Sequence, residues 1–481
     1  MDPEERLTMK KGQDMHHIEH DHDHEHKHEY EQDAEPKQIK PLIIYGGPLF
    51  NGKKEVWEDG CVFVADGKVK LIGSEEEVFE KAPKNIDMEV YDTQGKIILP
   101  GLINLHHHFY SALSKGLIPA APVTNFHERL KFFWWRLDKA LDKETIQLSA
   151  LASLLDCIRC GVTTVFDHHA SPTDVNGSLE IIGSVVKRSG IQAALCYEIS
   201  DRDGKDVFHR GIEENLDFIE KYRDDDSLRG ILGLHANFTL SEKSMAEIEQ
   251  NYDPEVGIHI HCGEDAIDAE YCKKLGYKGV VDRLNRFNLL SKKSILAHGV
   301  HLLPEEITLI GKSGAVLVHN PESNMNNAVG RLPFPLPEKV NVGLGTDGMT
   351  SNMLLTLRSG FLSQRQAGID DAMLFSALPK TLFNTNSRIA GRFFGGKPGV
   401  LEPGANADIA VFDYTPLTPI HSGNLTGHVI YGMYDAPAAM VMAKGRMIYE
   451  DGAFLTLDKE IIVEESQKAS ERLWRKYAEM K

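Results

Sequence analysis

From residue 97 to about residue 394 the sequence alternates short apolar runs with longer stretches of helical period. Val162–Phe166, Ile191–Tyr197, Gly230–His235, Val256–His261, Ser294–His298, Ala315–His319 and Val340–Leu344 read as buried strands. Between them Phe132–Arg159, Leu179–Ser189, Glu213–Tyr222, Ser241–Gln250 and Glu305–Lys312 read as helices, Ala266–Asn285 reads as largely helical, and helices follow to about Phe394. Gly161 breaks the first of these, and Ser241 is placed to cap the fourth. With the run Ile97–Ile98–Leu99 leading into Leu102–His108, the pattern predicts roughly eight β-α units, the architecture of a (β/α)8 barrel over residues 98–398.

Either side of this region the period shortens. Pro41–Tyr45, Gly60–Ala65, Val69–Gly73 and Met88–Tyr91 precede it, and Ala407–Tyr414, His428–Tyr431, Ala439–Ala443 and Arg446–Glu450 follow it as candidate strands. Asp66-Gly67 and Lys444-Gly445 are turn signals between neighbours. Neither set can close a core alone, so segments 37–97 and 399–457 are expected to pair into one small β domain, with a charged helix over 458–481. Residues 1–36 are nearly free of aliphatic and aromatic side chains and read as a disordered tail. Its run from His16 to His28 alternates imidazole and carboxylate, a composition that holds transition metals loosely. A floppy tail cannot hold one catalytic geometry.

Net charge is −18, of which the tail supplies −8 from 12 acidic and 4 basic residues. That sign argues against nucleic acid and against an anionic membrane surface. No apolar run approaches the ~18 residues of a membrane span, and no apolar signal core begins the chain. The six cysteines are scattered, which suits a reducing compartment, and the cytoplasm is the expected location. Cys157 and Cys160 form a C-x-x-C inside a helical apolar pattern and read as packed thiols.

The polar residues collect where predicted strands end: His106, His108, His168, His235, His261, Glu264, His298, Asn320 and Asp347. In a (β/α)8 barrel those ends share one mouth, where catalysis occurs. Alternation along a strand points His106 and His108 the same way and His107 the other. His106, His108, His261 and Asp347 make a candidate ligand set, and three imidazoles with one carboxylate suit Zn²⁺, with Fe²⁺ the second choice. With a position left for water, such an ion supplies hydroxide near neutral pH. No lysine ends the strand Gly230–His235 to bridge a second ion, so one metal is expected. Glu264 is three residues beyond His261 and suits a proton shuttle, His298 suits hydrogen bonding to the nucleophile, and Asp347 can take the water's second proton.

The order PG-L-I-N-x-H-x-H, H-x-x-E, A-H-G, S-N and G-T-D resembles the amidohydrolase superfamily. More narrowly it resembles the mononuclear aminohydrolase branch, over about residues 39–455. Within that branch His108-Phe109-Tyr110-Ser111, Trp134-Trp135-Arg136-Leu137-Asp138, Asp167-His168-His169-Ala170-Ser171-Pro172 and His319-Asn320 through Asn327 are most similar to the SsnA group of aminohydrolases. The resemblance implies a TIM-like barrel with a small β-sandwich built from both chain ends. It implies His106, His108, His261 and Asp347 as metal ligands, Glu264 as proton shuttle and His298 as the group that orients the nucleophile. His235 aligns with a substrate-contacting histidine, and His168, His169, Asn320, Ser323 and Asn324 are candidate substrate contacts. The implied activity is hydrolytic deamination of an amino-substituted N-heterocycle, purine-like first, in a homodimer. Hydrolysis of another C–N or C–Cl bond, in a cyclic amide or a triazine, is the alternative. A non-catalytic barrel or a metal-handling protein led by its tail ranks below both.

Overall fold

The computed structural model of the chain describes residues 40–480, and the His-rich tail expected over residues 1–36 lies outside them. Parallel strands alternate with helices through the middle of the chain. Leu102–His107, Val162–His169, Gln192–Tyr197 and Leu228–Gly230 form a parallel sheet in that order. Leu232–Ala236, Ile258–Cys262, Ile295–His298, Val316–His319 and Asn341–Leu344 form a second. The edges of the two sheets are hydrogen-bonded to each other. His106 O accepts from Thr346 N at 3.0 Å and Asp347 N at 2.9 Å, and Ile199 N donates to Gly233 O at 3.1 Å. On one face of these strands Phe166, Cys196, Ile295 and Val318 pack with Ile389 and Phe393 into an apolar floor. The other face packs against the helices in the largest core.

The strands of both chain ends share one nine-stranded sheet. Ile97–Pro100 sits at its middle, antiparallel to Ile409–Phe412 and beside Leu42–Phe50. Ile44, Val62, Val64, Ile98, Val411 and Met440 make its core. Asp66 and Gly67 both have positive φ, 51° and 69°, the backbone of a tight hairpin turn. Lys444 and Gly445 repeat this at 48° and 80°.

Two expectations of the sequence change here. His428–Tyr431 is not a strand. It spans the end of helix Leu425–His428 and the π turn Val429–Met433. Leu425, Val429 and Met433 recur at helical spacing and are all buried, so one helical face satisfies them where alternation does not. The region expected as one helix over 132–159 is broken. Phe126–Arg129, a π turn Leu130–Trp134 and Trp135–Ala140 come first. Asp142 then starts the helix Lys143–Arg159, its side chain accepting from Thr145 N at 2.9 Å. Ser241 caps Glu242–Gln250, accepting from Ser244 N at 3.2 Å. No described helix is long and apolar enough to cross a membrane.

Candidate active site

The strand Leu102–His107 delivers His106, and His108 follows in extended conformation. Their rings meet edge to face with centroids 4.9 Å apart. His107 turns away, with Nδ1 3.0 Å from Asp347 O. His261, near the end of Ile258–Cys262, brings its ring to 5.0 Å from His106 and 5.2 Å from His108. Asp347 stands just past Asn341–Leu344, with Oδ1 2.9 Å from His108 Nε2 and 3.6 Å from His106 Nε2. Gly345 lets this strand approach closely, because a Cβ there would lie 2.9 Å from His106 Cβ and 2.6 Å from Asn320 Oδ1.

The protonation of these rings follows from their backs. His108 Nδ1 donates to His168 O at 2.6 Å, and His261 Nδ1 donates to His235 O at 2.9 Å. A carbonyl only accepts, so each ring carries its proton on Nδ1. The two Nε2 atoms then face each other across 3.2 Å, beside a carboxylate oxygen. His106 Nδ1 lies 2.8 Å from His259 Nε2, while its own Nε2 is buried with no hydrogen-bond partner among the described residues. Burial lowers the His106 pKa to about 3 and holds His261 well below its usual value, so both stay neutral. For His108 burial also acts downward, but Asp347 overrides it and raises the value to about 9. Three imidazole nitrogens and a carboxylate thus call for a positive charge at their centre. Rings held from behind by carbonyl acceptors are what metal-binding histidines use. The residues present fit a single divalent ion.

Glu264 and His298 flank this cluster. His298 Nδ1 is 2.8 Å from Asn324 Oδ1, which leaves Nε2 facing Glu264 Oε2 at 3.6 Å and Asp347 Oδ2 at 3.7 Å. Glu264 Oε1 accepts from Asn327 Nδ2 at 3.1 Å. Burial pushes the Glu264 carboxyl up to about 7. His298 and Asp347 both have left-handed backbones, φ 77° and 55°, where a non-glycine residue costs roughly 1–3 kcal/mol. The strain falls on two of the residues that face the centre.

The sequence pattern of the amidohydrolase family matches residues 97–448. The chain belongs to the amidohydrolase family. Among its relatives is the 5-methylthioadenosine/S-adenosylhomocysteine deaminase of Pyrococcus furiosus, 28% identical over 89% of this chain and 100% of that one. The 5′-deoxyadenosine deaminase of Methanopyrus kandleri is 26% identical over 90% and 99%. Among solved structures, an adenosine deaminase from Xanthomonas campestris with bound zinc superposes with a TM-score of 0.77 at 21% identity, covering 90% and 98%. That likeness shows the fold, a TIM-like barrel. This amidohydrolase is accordingly a metal-dependent hydrolytic enzyme.

The amidohydrolase cluster opens into a cavity whose walls include Tyr110, Trp134, Trp135 and Phe238. Of the expected substrate contacts, His235 and Ser323 line it. His168, His169, Asn320 and Asn324 do not line it, and all but Asn320 are held elsewhere. His168 Nε2 donates to Leu234 O at 3.0 Å, beside the His108 and His261 rings. His169 Nε2 pairs with Ser171 Oγ at 2.9 Å, and burial lowers its pKa to about 3. Asn320 lies behind Gly345, and Asn324 holds His298. Sequence reasoning missed the polar wall opposite. Glu198 directly follows the strand Gln192–Tyr197 and pairs with Arg202, which also lies 3.4 Å from Asp138. Burial works against the Glu198 charge, but His235, Arg202 and His168 outweigh it and hold its pKa well below the usual range. Burial pushes Asp138 up to about 8, and its Oδ1 has no hydrogen-bond partner among the described residues. Glu198 directly follows the predicted strand Ile191–Tyr197, so the strand-end rule that picked out Glu264 and Asp347 applies to it equally.

Proposed function

We propose that this amidohydrolase is a hydrolytic deaminase that removes the amino group of a planar, purine-like N-heterocycle. The reading is carried by one observation: His106, His108, His261 and Asp347 converge on a single point at the base of an aromatic cavity, with Glu264 and His298 beside them. Both relatives named above are deaminases of adenine nucleosides. The two parallel sheets are read as one closed (β/α)8 barrel, which the hydrogen bonds between their edges support. The nine-stranded sheet is read as the small β-sandwich domain of the family, with boundaries near residues 97 and 399.

In this reading His106, His108, His261 and Asp347 hold one divalent ion, Zn²⁺ by the chemistry of the donors. The ion supplies the Lewis acidity that makes water acidic near neutral pH. Glu264, poised near neutrality, takes one proton from water and gives it to the ring nitrogen beside the attacked carbon. His298, its Nδ1 turned to Asn324, offers Nε2 to orient the water. Asp347 takes the second proton and returns it to the amino group. One C–O bond forms, one C–N bond breaks, and ammonia leaves. His235 and Ser323 contact the ring from the walls, and Trp134 and Trp135 cover its face. The protein is read as a cytoplasmic homodimer without a nucleic-acid partner. Its six buried, unpaired cysteines fit a reducing compartment.

The test is ammonia release from zinc-loaded protein offered 5′-deoxyadenosine, 5-methylthioadenosine, aminopurines, pterins, pyrimidines and triazines. Release from a purine is expected. Silence on every purine, with hydrolysis of a triazine or a cyclic amide instead, moves the activity to the alternative bond class.

A further inference from the structure

The helix Lys459–Glu479 lies beyond the stretch the family pattern matches, yet its last turn reaches the cavity wall. The Tyr477 hydroxyl donates to Phe132 O at 2.6 Å and accepts from Ala120 N at 3.2 Å. Arg136 donates through Nε to Tyr477 O at 2.6 Å and through Nη2 to Ala478 O at 3.2 Å, and the same Nη2 reaches Met480 O. The final carbonyls of a helix have no donors within it and carry its negative end, so a guanidinium is the natural partner. The same guanidinium lies over the Tyr477 ring, 5.3 Å from its centroid. Farther up the helix, Trp474 Nε1 donates to Leu113 O at 2.7 Å, in the turn that follows His108.

What these contacts grip is unusual backbone. Leu130–Trp134 is a π turn, a conformation rare in proteins and often found at functional sites. Phe132 O, inside it, accepts from two outside donors, Ala120 N at 2.9 Å and the Tyr477 hydroxyl. The turn delivers Leu130 and Trp134 to the cavity, and the helix it runs into delivers Trp135 and Asp138. Trp134 ends the wide turn and Trp135 opens the helix after it, so both sit on the backbone that Tyr477 and Arg136 hold.

We propose that Tyr477 and Arg136 are positioning residues that strap the π turn and thereby set the Trp134–Trp135 wall and the affinity for substrate. The claim on affinity rests on the deaminase reading; the claim on the wall does not. Tyr477→Phe removes one hydroxyl and keeps the ring. In zinc-loaded protein, amide hydrogen exchange across residues 130–138 should quicken about tenfold, the scale of losing the hydroxyl's bond to Phe132 O, while Ala120 N keeps its own bond to that carbonyl. Exchange in Ile258–Cys262 and zinc content should not change. With 5′-deoxyadenosine, KM should rise about fivefold or more while kcat stays within about twofold, as for loss of uniform binding. Arg136→Lys should give a smaller effect in the same direction, since it keeps the charge and loses the fork. Unchanged exchange at 130–138 overturns the strap, and so does a fall in kcat or zinc content alongside KM. If the wild type leaves 5′-deoxyadenosine untouched, that counts against this substrate, and the exchange result alone decides the strap.

Discussion

Glu264→Gln separates proton transfer from everything else Glu264 does. The amide keeps an oxygen to accept from Asn327 Nδ2, and its nitrogen can donate to His298 Nε2 where Oε2 now stands 3.6 Å away. Size and contacts are conserved, so what disappears is the ability to gain and lose a proton. A carboxyl poised at about 7 is matched to a reaction near neutral pH. Its removal should cost about 10²–10⁴ in turnover. Stability should move the other way. The rise from 4.5 to about 7 is caused by burial and corresponds to as much as about 3 kcal/mol. Below pH 4.5 both the folded and unfolded chains keep the proton and nothing is lost. Between pH 4.5 and 7 only the unfolded chain releases it, so the wild type loses stability as pH rises, and above 7 the loss is complete. The metal-free Gln variant should therefore melt with the wild type at pH 4.5 and outlast it at pH 8. The assays are ammonia release, zinc content by elemental analysis, and denaturant titration of metal-free protein at both pH values. Turnover within tenfold of wild type, with zinc retained, would refute the shuttle. A wild type as stable as the variant at pH 8 would refute the burial argument.

His261→Ala should lower zinc bound to protein truncated before residue 37; unchanged stoichiometry removes His261 from the ligands. The same truncation alone should leave turnover intact when zinc is supplied, as followed by ammonia release. Asp138→Asn should gain stability relative to wild type as pH climbs from 4 toward 8, because burial pushes the carboxyl up to about 8; denaturation curves of both proteins at pH 5 and 8 check this, and equal pH slopes would contradict it. Asn324→Leu should cut turnover about tenfold or more with zinc retained, since it frees the His298 ring; full activity would show that His298 needs no anchor.

Much of the centre was legible because it lies at the ends of strands, and a strand end is visible in a sequence as an apolar run that stops at a histidine. His106, His108, His261 and Asp347 come together, and Glu264 and His298 flank them. What sequence could not show is which polar residue faces the cavity and which faces away. His168 and His169 follow the same apolar run as an outward-looking pair would, yet carbonyls and Ser171 claim them. Asn324 and Asn327 sit three residues apart, yet Asn327 lines the cavity beside Glu264 while Asn324 turns to His298. The helical end of the middle region was readable as helix, but the π turn at Leu130–Trp134 depends on donors from residues 120 and 477, which no local pattern reports. His428–Tyr431 shows the opposite failure: in so short a window a helix face passed for a strand.

The position of Ile97–Pro100 has a consequence for biosynthesis. This strand runs directly into the one that carries His106, and it is flanked by residues 409–412. On the ribosome its partner emerges roughly 300 residues later, or roughly 15–60 s at the usual elongation rate. For that interval the first two histidines hang from an unpaired apolar edge. The strand that leads into His106 can therefore complete its pairing only late in synthesis.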